Sequence, residues 1–112
     1  MTPNNFGANP VRGEATLVIR GDARVLRPTF AALVAAEDEL GPLFALVERA
    51  SAGQLRINEL AALFWHCLAS PGALTREDVG EAVAVQGLAA VAAPLRALLV
   101  QILQGQSSTG SG

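Results

Sequence analysis

Glu14-Ala15-Thr16-Leu17-Val18-Ile19-Arg20-Gly21-Asp22-Ala23-Arg24-Val25-Leu26-Arg27-Pro28-Thr29 is the stretch on which the fold turns. Its first half is rich in β-branched residues and weakly alternating, which reads as a strand. Gly21-Asp22 is expected to supply a turn, and Ala23 to Arg27 a returning strand. Leu17, Ile19 and Leu26 share a buried face if the loop holds four residues. A two-residue turn at Gly21-Asp22 places Arg24 beside Ile19 instead, so the register stays open. An isolated hairpin is marginal in water and has to pack on something else.

That something follows at once, because after Pro28 the apolar period lengthens from two to about 3.6. Thr29 is placed to cap a helix reaching Leu40, with Phe30, Leu33, Val34 and Leu40 on one side. Gly41-Pro42 ends it and opens a second helix to Ala50, expected to bury Leu43, Phe44 and Val47. Ser51-Ala52-Gly53 breaks the chain. Asn58 then caps a third helix to Ala69, with Leu60, Leu63, Phe64, Cys67 and Leu68 inward. Thr75 and Asp78 form a capping box that opens a short helix to Val85.

The longest apolar pattern begins at Gly87. Leu88, Val91, Ala92, Leu95, Leu98, Leu99, Ile102 and Leu103 occupy one helical face, and Pro94 lies within it. Pro94 either kinks one helix or belongs to the first turn of a later one starting near Ala92. The expected fold class is α+β, an N-terminal β-hairpin packed on a bundle of about five short α-helices. Residues 1–9 read as a disordered lead-in, 10–104 as a single domain and 105–112 as a flexible Gly/Ser tail.

Composition narrows the function. The 112 residues are 51% hydrophobic and carry a net charge of −2, with ten acidic side chains against eight arginines. At this length about 60–70% of the unfolded surface can be buried, enough for one core. An acidic balance argues against binding nucleic acid through phosphate neutralisation. One Cys and one His exclude an internal disulfide and any Cys-cluster zinc site. The polar, uncharged start lacks the parts of a signal peptide, and no apolar run reaches the roughly 18 residues of a membrane span. A soluble, cytosolic protein without a cofactor is expected.

The pairs of residues that invite a chemical reading are better explained by structure. His66 and Cys67 are adjacent, so on a helix they point about 100° apart, and Cys67 falls on the apolar face as a buried, inert thiol. Across Glu48 to Glu59, Gly53, Leu55 and Glu59 match three positions of a calcium loop. Ala50 and Ala52 stand where oxygen ligands are needed, so no usual site assembles. Glu37-Asp38-Glu39 spreads around a helix as a solvated face, and Glu77-Asp78 complements a helix dipole. No catalytic constellation is present, and the chain reads as a non-enzyme.

Surface candidates remain. Arg20, Arg24 and Arg27, with Arg12, form a possible basic edge, either for an acidic partner or to keep a strand edge from aggregating. Trp65 lies on the flank of the third helix, either completing the core or anchoring an interface. The last helix has a face wide enough to complete the core or to dock in a partner's groove. Its candidate contact residues are Leu88, Val91, Leu95, Leu98, Leu99 and Ile102, and Val100 adds apolar surface beyond what a small domain needs.

The order of features is also familiar. Asn9-Pro10-Val11-Arg12-Gly13-Glu14 leads into the hydrophobic strand. Gly21-Asp22 and Arg24-Val25-Leu26-Arg27-Pro28-Thr29 follow, then an Ala/Leu helix with Glu37-Asp38-Glu39-Leu40-Gly41. With Ile57-Asn58-Glu59-Leu60-Ala61-Ala62-Leu63 and the Ala/Leu-rich last helix, this resembles the small phage-tail proteins of the gene transfer agent family, described as tail tube or tail assembly chaperone proteins. The resemblance spans Asn9 to Leu103. Its polar lead-in departs from such proteins, which often start close to the Asn-Pro-Arg-Gly-Glu region.

The resemblance implies a non-enzymatic role in building a phage-like tail in the cytoplasm of a bacterial host. In its chaperone form the protein binds the long apolar tape-measure protein until tube subunits polymerise around it, many weak copies acting together. Tape-measure and tail tube proteins are then the expected partners, with self-association and association with the virion as further expectations. Leu95→Asp or Leu98→Asp is expected to abolish partner binding if the last helix is the contact, and to unfold the chain if it is core. Two rivals are a tube subunit retained in the particle and a helix–turn–helix regulator over residues 42–69. The regulator lacks a basic recognition helix, since Asn58 to Ala69 carries Glu59 and no Arg.

Overall fold

A computed structural model describes residues 15–104; the lead-in, Arg12 and the Gly/Ser tail lie outside them. Within those bounds the chain is an α+β fold with the expected element order. Strands β1 (Ala15–Ile19) and β2 (Asp22–Leu26) precede helices α1 (Phe30–Leu40), α2 (Leu43–Ser51), α3 (Ile57–Cys67), α4 (Arg76–Gln86) and α5 (Leu88–Gln104).

The hairpin turns one residue earlier than Gly21-Asp22. Ile19 pairs with Asp22, Leu17 with Arg24 and Ala15 with Leu26, leaving Arg20-Gly21 as a two-residue loop. Both loop residues have positive φ, 54° and 85°. That backbone matches the twist of the strands it joins, and glycine takes the second position without strain. Leu17, Ile19 and Leu26 therefore share the buried face despite the short turn. Arg24 comes onto that face too, opposite Leu17.

Both strands are tied to helices. Beyond β2, the Arg27 N–H donates to the Cys67 carbonyl at 2.6 Å and the Ala69 N–H to the Val25 carbonyl at 3.0 Å. The chain leaving α3 thus adds a bridge, Leu26 opposite Leu68. For this reason α3 stops at Cys67 and not at Ala69. On β1, the Gln86 side-chain amide donates to the Val18 carbonyl at 2.5 Å.

Helix α3 is central, with Leu60 through Phe64 all buried. It begins at Ile57, earlier than an Asn58 cap would place it. The Glu59 carboxylate accepts the Arg56 N–H at 2.9 Å, supplying the cap from the N3 position. Thr29 and Thr75 cap α1 and α4 as expected, accepting from Ala32 and Asp78 at 3.1 and 3.2 Å. Helix α2 ends where Gly53, at φ 72°, lets Gln54 N–H reach back to the Arg49 carbonyl and Gly53 N–H to that of Ala50. Helix α5 is a single helix running through Pro94. Proline has no N–H, so the Ala90 carbonyl lacks its helical donor.

The sidedness of α1 and α2 differs from the expectation. Helix α1 buries Ala36 and packs Ala32, Leu33 and Leu40 toward the core, while Phe30 is 86% exposed and Val34 faces out as well. Small Ala32 and Ala36 share the inward side with Leu33 and Leu40, and only Phe30 and Val34 among the larger residues are turned away. In α2, Leu46 and Val47 are buried and Phe44 is 78% exposed.

Glu37 and Glu39, expected on a solvated face, instead join helices. Glu39 accepts from His66 at 2.8 Å and pairs with Arg76, connecting α1 to α3 and α4. Glu37 accepts the Leu43 N–H at 3.1 Å, serving the start of α2. Glu59 also receives Arg49 at 2.7 Å on both oxygens, and Asp78 receives Arg20 at 3.0 Å.

Glu39, Glu59 and Asp78 are all held below the usual carboxylate range. The causes are the hydrogen bonds of Arg76 and then His66 on Glu39, the Arg56 N–H and then Arg49 on Glu59, and chiefly the Thr75 N–H on Asp78. A depressed folded value stabilises the folded state while the group is ionised. That contribution is complete above the unfolded value and is lost as pH falls through the folded one. The melting temperature should therefore fall as the buffer is taken from about pH 5 to about pH 3. A flat or rising profile in calorimetry would contradict these assignments.

Gly80 lies in α4 against α3, and a Cβ there would meet the Ala61 Cβ at 3.8 Å, an ordinary contact. Gly80→Ala should raise stability by about 0.5–1 kcal/mol through helix propensity alone. Chemical denaturation of the two chains measures it, and a loss of stability would show that the α3–α4 contact is tighter than described.

Candidate docking surface

No catalytic or metal-binding geometry comes together among the described residues. Cys67 is fully buried, and burial pushes its thiol up to about 12, so it is no nucleophile at neutral pH. His66 is turned from it toward Glu39. Glu59, the last acidic position of the calcium-like spacing, is held by Arg49 and Arg56. No group of three or more side chains able to hold a metal ion lies together in residues 15–104.

The three hairpin arginines do not form one edge. Arg20, at the turn, is exposed and bonded to Asp78. Arg24 is half-buried on the inward face opposite Leu17, with a buried Nε that has no hydrogen-bond partner. Arg27 lies past the strand, half-buried, its backbone joined to the end of α3. Alternation decides this: Arg20 leaves the strand at the turn, while Arg24 keeps the parity of Leu26.

The candidate contact residues of the last helix also separate. Val91 and Leu98 are buried in the core, Leu95 packs against it, and Leu99 and Ile102 are half-buried. Leu88 is exposed at the start of α5, and Leu103 is 53% exposed at its end. Trp65 is half-buried and packs against the core.

The surface that does gather apolar side chains is different. Between α2 and the last turn of α5 a groove of about 240 Å³ is lined by Leu43, Phe44, Val47, Ile102 and Leu103, with Glu37 at its side. Glu37 belongs to the same face of α1 as Val34 and Phe30, spaced three and seven residues before it. Phe44 and Leu103 line the groove and are exposed, while Phe30 and Val34 are exposed further along α1, on the face that carries Glu37. Single exposed apolar residues are ordinary on a small protein, whereas a groove lined almost wholly by apolar side chains, with Phe44 and Leu103 exposed in it, is a candidate docking feature. Periodicity marks α1, α2 and α5 as amphipathic but puts Phe30 and Phe44 inside. The available signal is the Ala-rich opposite face of α1, which packs more closely than Phe allows.

A second depression, near the hairpin turn, holds Val18, Arg20, Asp78, Glu81 and Val85. It mixes exposed Val85 with a paired arginine and two carboxylates. Leu88 and Leu103, at the two ends of α5, are about 22 Å apart along the helix, so the two surfaces are distinct. No helix among the described residues is long and apolar enough to cross a membrane.

No curated protein and no solved structure matches the chain. A family model described as "Phage tail tube protein, GTA-gp10" matches residues 12–105, which takes in every described element. The chain therefore belongs to the GTA-gp10 family of phage tail tube proteins, whose role is in the tail of a phage-like particle.

Proposed function

We propose that this protein is a tail assembly chaperone, holding apolar helices of a tape-measure protein, and of tube subunits, until the tail polymerises. One observation carries the reading: the apolar α2–α5 groove, with Phe44 and Leu103 exposed in it and Phe30 and Val34 exposed along α1. A protein that shields another's apolar helices needs such a surface and no reaction chemistry. Docking of a helix in a groove is driven by burial of the anchor side chains. The contact is thus assigned to α1, α2 and the end of α5, not to the inward face of α5.

A second reading, a structural component that stays in the particle, is favoured by the family's description as tail tube protein. The hairpin weighs against a tube wall built by strands pairing between subunits. It has only two strands, and β2's outer side already bonds the chain leaving α3.

Affinity capture of a tagged chain from particle-producing cells, with mass spectrometry of purified particles, separates the two. The chaperone reading expects the tape-measure protein in the capture and this chain missing from particles. Many copies per particle would make it structural. Phe44→Asp, at an exposed position, should keep its melting temperature and lose the captured partner. Leu98→Asp puts a charge at a fully buried site and should unfold the chain, since even Leu→Ala at such sites costs about 2–5 kcal/mol. A folded Phe44→Asp variant that still captures its partner would remove the groove from the mechanism.

A further inference from the structure

The groove has an apolar floor and an acidic border. Glu37 lines it directly. Asp38 follows Val34 by four residues on α1, and Glu48 follows Phe44 by four on α2, so each flanks an exposed apolar side chain. Neither Asp38 nor Glu48 has an ion-pair partner among the described residues. The nearest cation on α2, Arg49, is held by both oxygens of Glu59 at 2.7 Å. On α5 the nearest is Arg96, about 10 Å along the helix from Leu103. One carboxylate, Glu37, thus lines the groove, no arginine does, and helical spacing puts Asp38 and Glu48 beside it on α1 and α2.

The shape indicates the kind of partner. The walls are helices whose backbone hydrogen bonds are internal, so they offer no edge to an extended strand. A helical occupant brings its own backbone satisfied and presents side chains alone. An acidic border repels helices flanked by Asp or Glu, and it attracts and orients those flanked by Arg or Lys.

We propose that the α2–α5 groove is selective for an amphipathic helix whose apolar stripe is flanked by basic side chains. This rests on the docking role proposed above and adds the charge of the partner.

The test uses two labelled synthetic helices with one leucine stripe in common, flanked by lysine in one and by glutamate in the other. Each is titrated with the full chain by fluorescence anisotropy. The lysine helix should bind about tenfold more tightly than the glutamate helix at about 50 mM salt, and the ratio should shrink at about 300 mM. Glu37→Gln with Asp38→Asn and Glu48→Gln should bring the ratio near one, the new amide oxygen at position 37 still able to accept the Leu43 N–H. Glu77→Gln with Glu81→Gln, remote from the groove, should leave the ratio unchanged. Phe44→Asp should abolish binding of both helices.

Equal binding of the two helices, no binding of either, or a ratio that survives neutralisation of the border would overturn the proposal. A ratio lost equally in the remote variant would trace the preference to net charge and overturn it too. Capture of the tape-measure protein is a separate readout. Capture with a failed ratio removes only the charge preference, and a sound ratio without capture removes the chaperone role while keeping the selective groove.

Discussion

The fold depends on the join between β2 and the end of α3. A two-stranded hairpin has too little to hold it in water. Here its buried residues Leu17, Ile19 and Leu26 reach the helices, and its outer strand bonds the chain at Cys67 and Ala69. The same segment is the exit of the most buried helix. The turn fixes the register of the hairpin and β1 packs on α4 and α5, while β2 is tied to the exit of α3, which ends there. Cys67 belongs to this join, which accounts for a buried thiol without any need of reactivity.

Charge is placed with similar economy. In a chain with no lysine, each of Arg20, Arg49 and Arg76 is matched to a carboxylate on another element. Exposed pairs of this kind contribute little individually. Their value is in direction: Glu39 meets both His66 and Arg76, so α1 can lie in only one orientation across α3 and α4. Glu59 does the same for the α2–α3 turn while capping α3. Asp38 and Glu48 have no such partner among the described residues and stay exposed on α1 and α2.

Most of the element order is legible in the sequence, because Thr29, Gly41-Pro42, Gly53, the Thr75–Asp78 box and Gly87 punctuate the chain by local chemistry. The turn is displaced by one residue, since parity along the strands cannot say whether Arg20 or Gly21 comes first in a loop that needs two positive φ angles. The end of α3 is overrun because pairing with β2 is a tertiary event. The exposed apolar side chains of α1 and α2 are not those that periodicity turns outward, for a related reason. Periodicity finds an apolar stripe on α1 and α2 but not which edge of that stripe faces inward. Ala32, Ala36 and Leu46 take the core positions, and Phe30 and Phe44 are left outside. The resemblance to gene transfer agent tail proteins, carried by short motifs, agrees with the family to which the chain belongs.

Those outward phenylalanines also bear on how the surface works. Burying Phe30, Phe44 and Leu103 on a partner is worth about 1.5–3 kcal/mol for each side chain. Association itself costs about 4–15 kcal/mol in lost freedom and ordering. The surplus for one copy on one helix is small, so a single docking event is weak and quickly reversed. That suits a holding role better than a permanent wall. On the chaperone role proposed above, a long partner with many apolar turns would gather many copies at once.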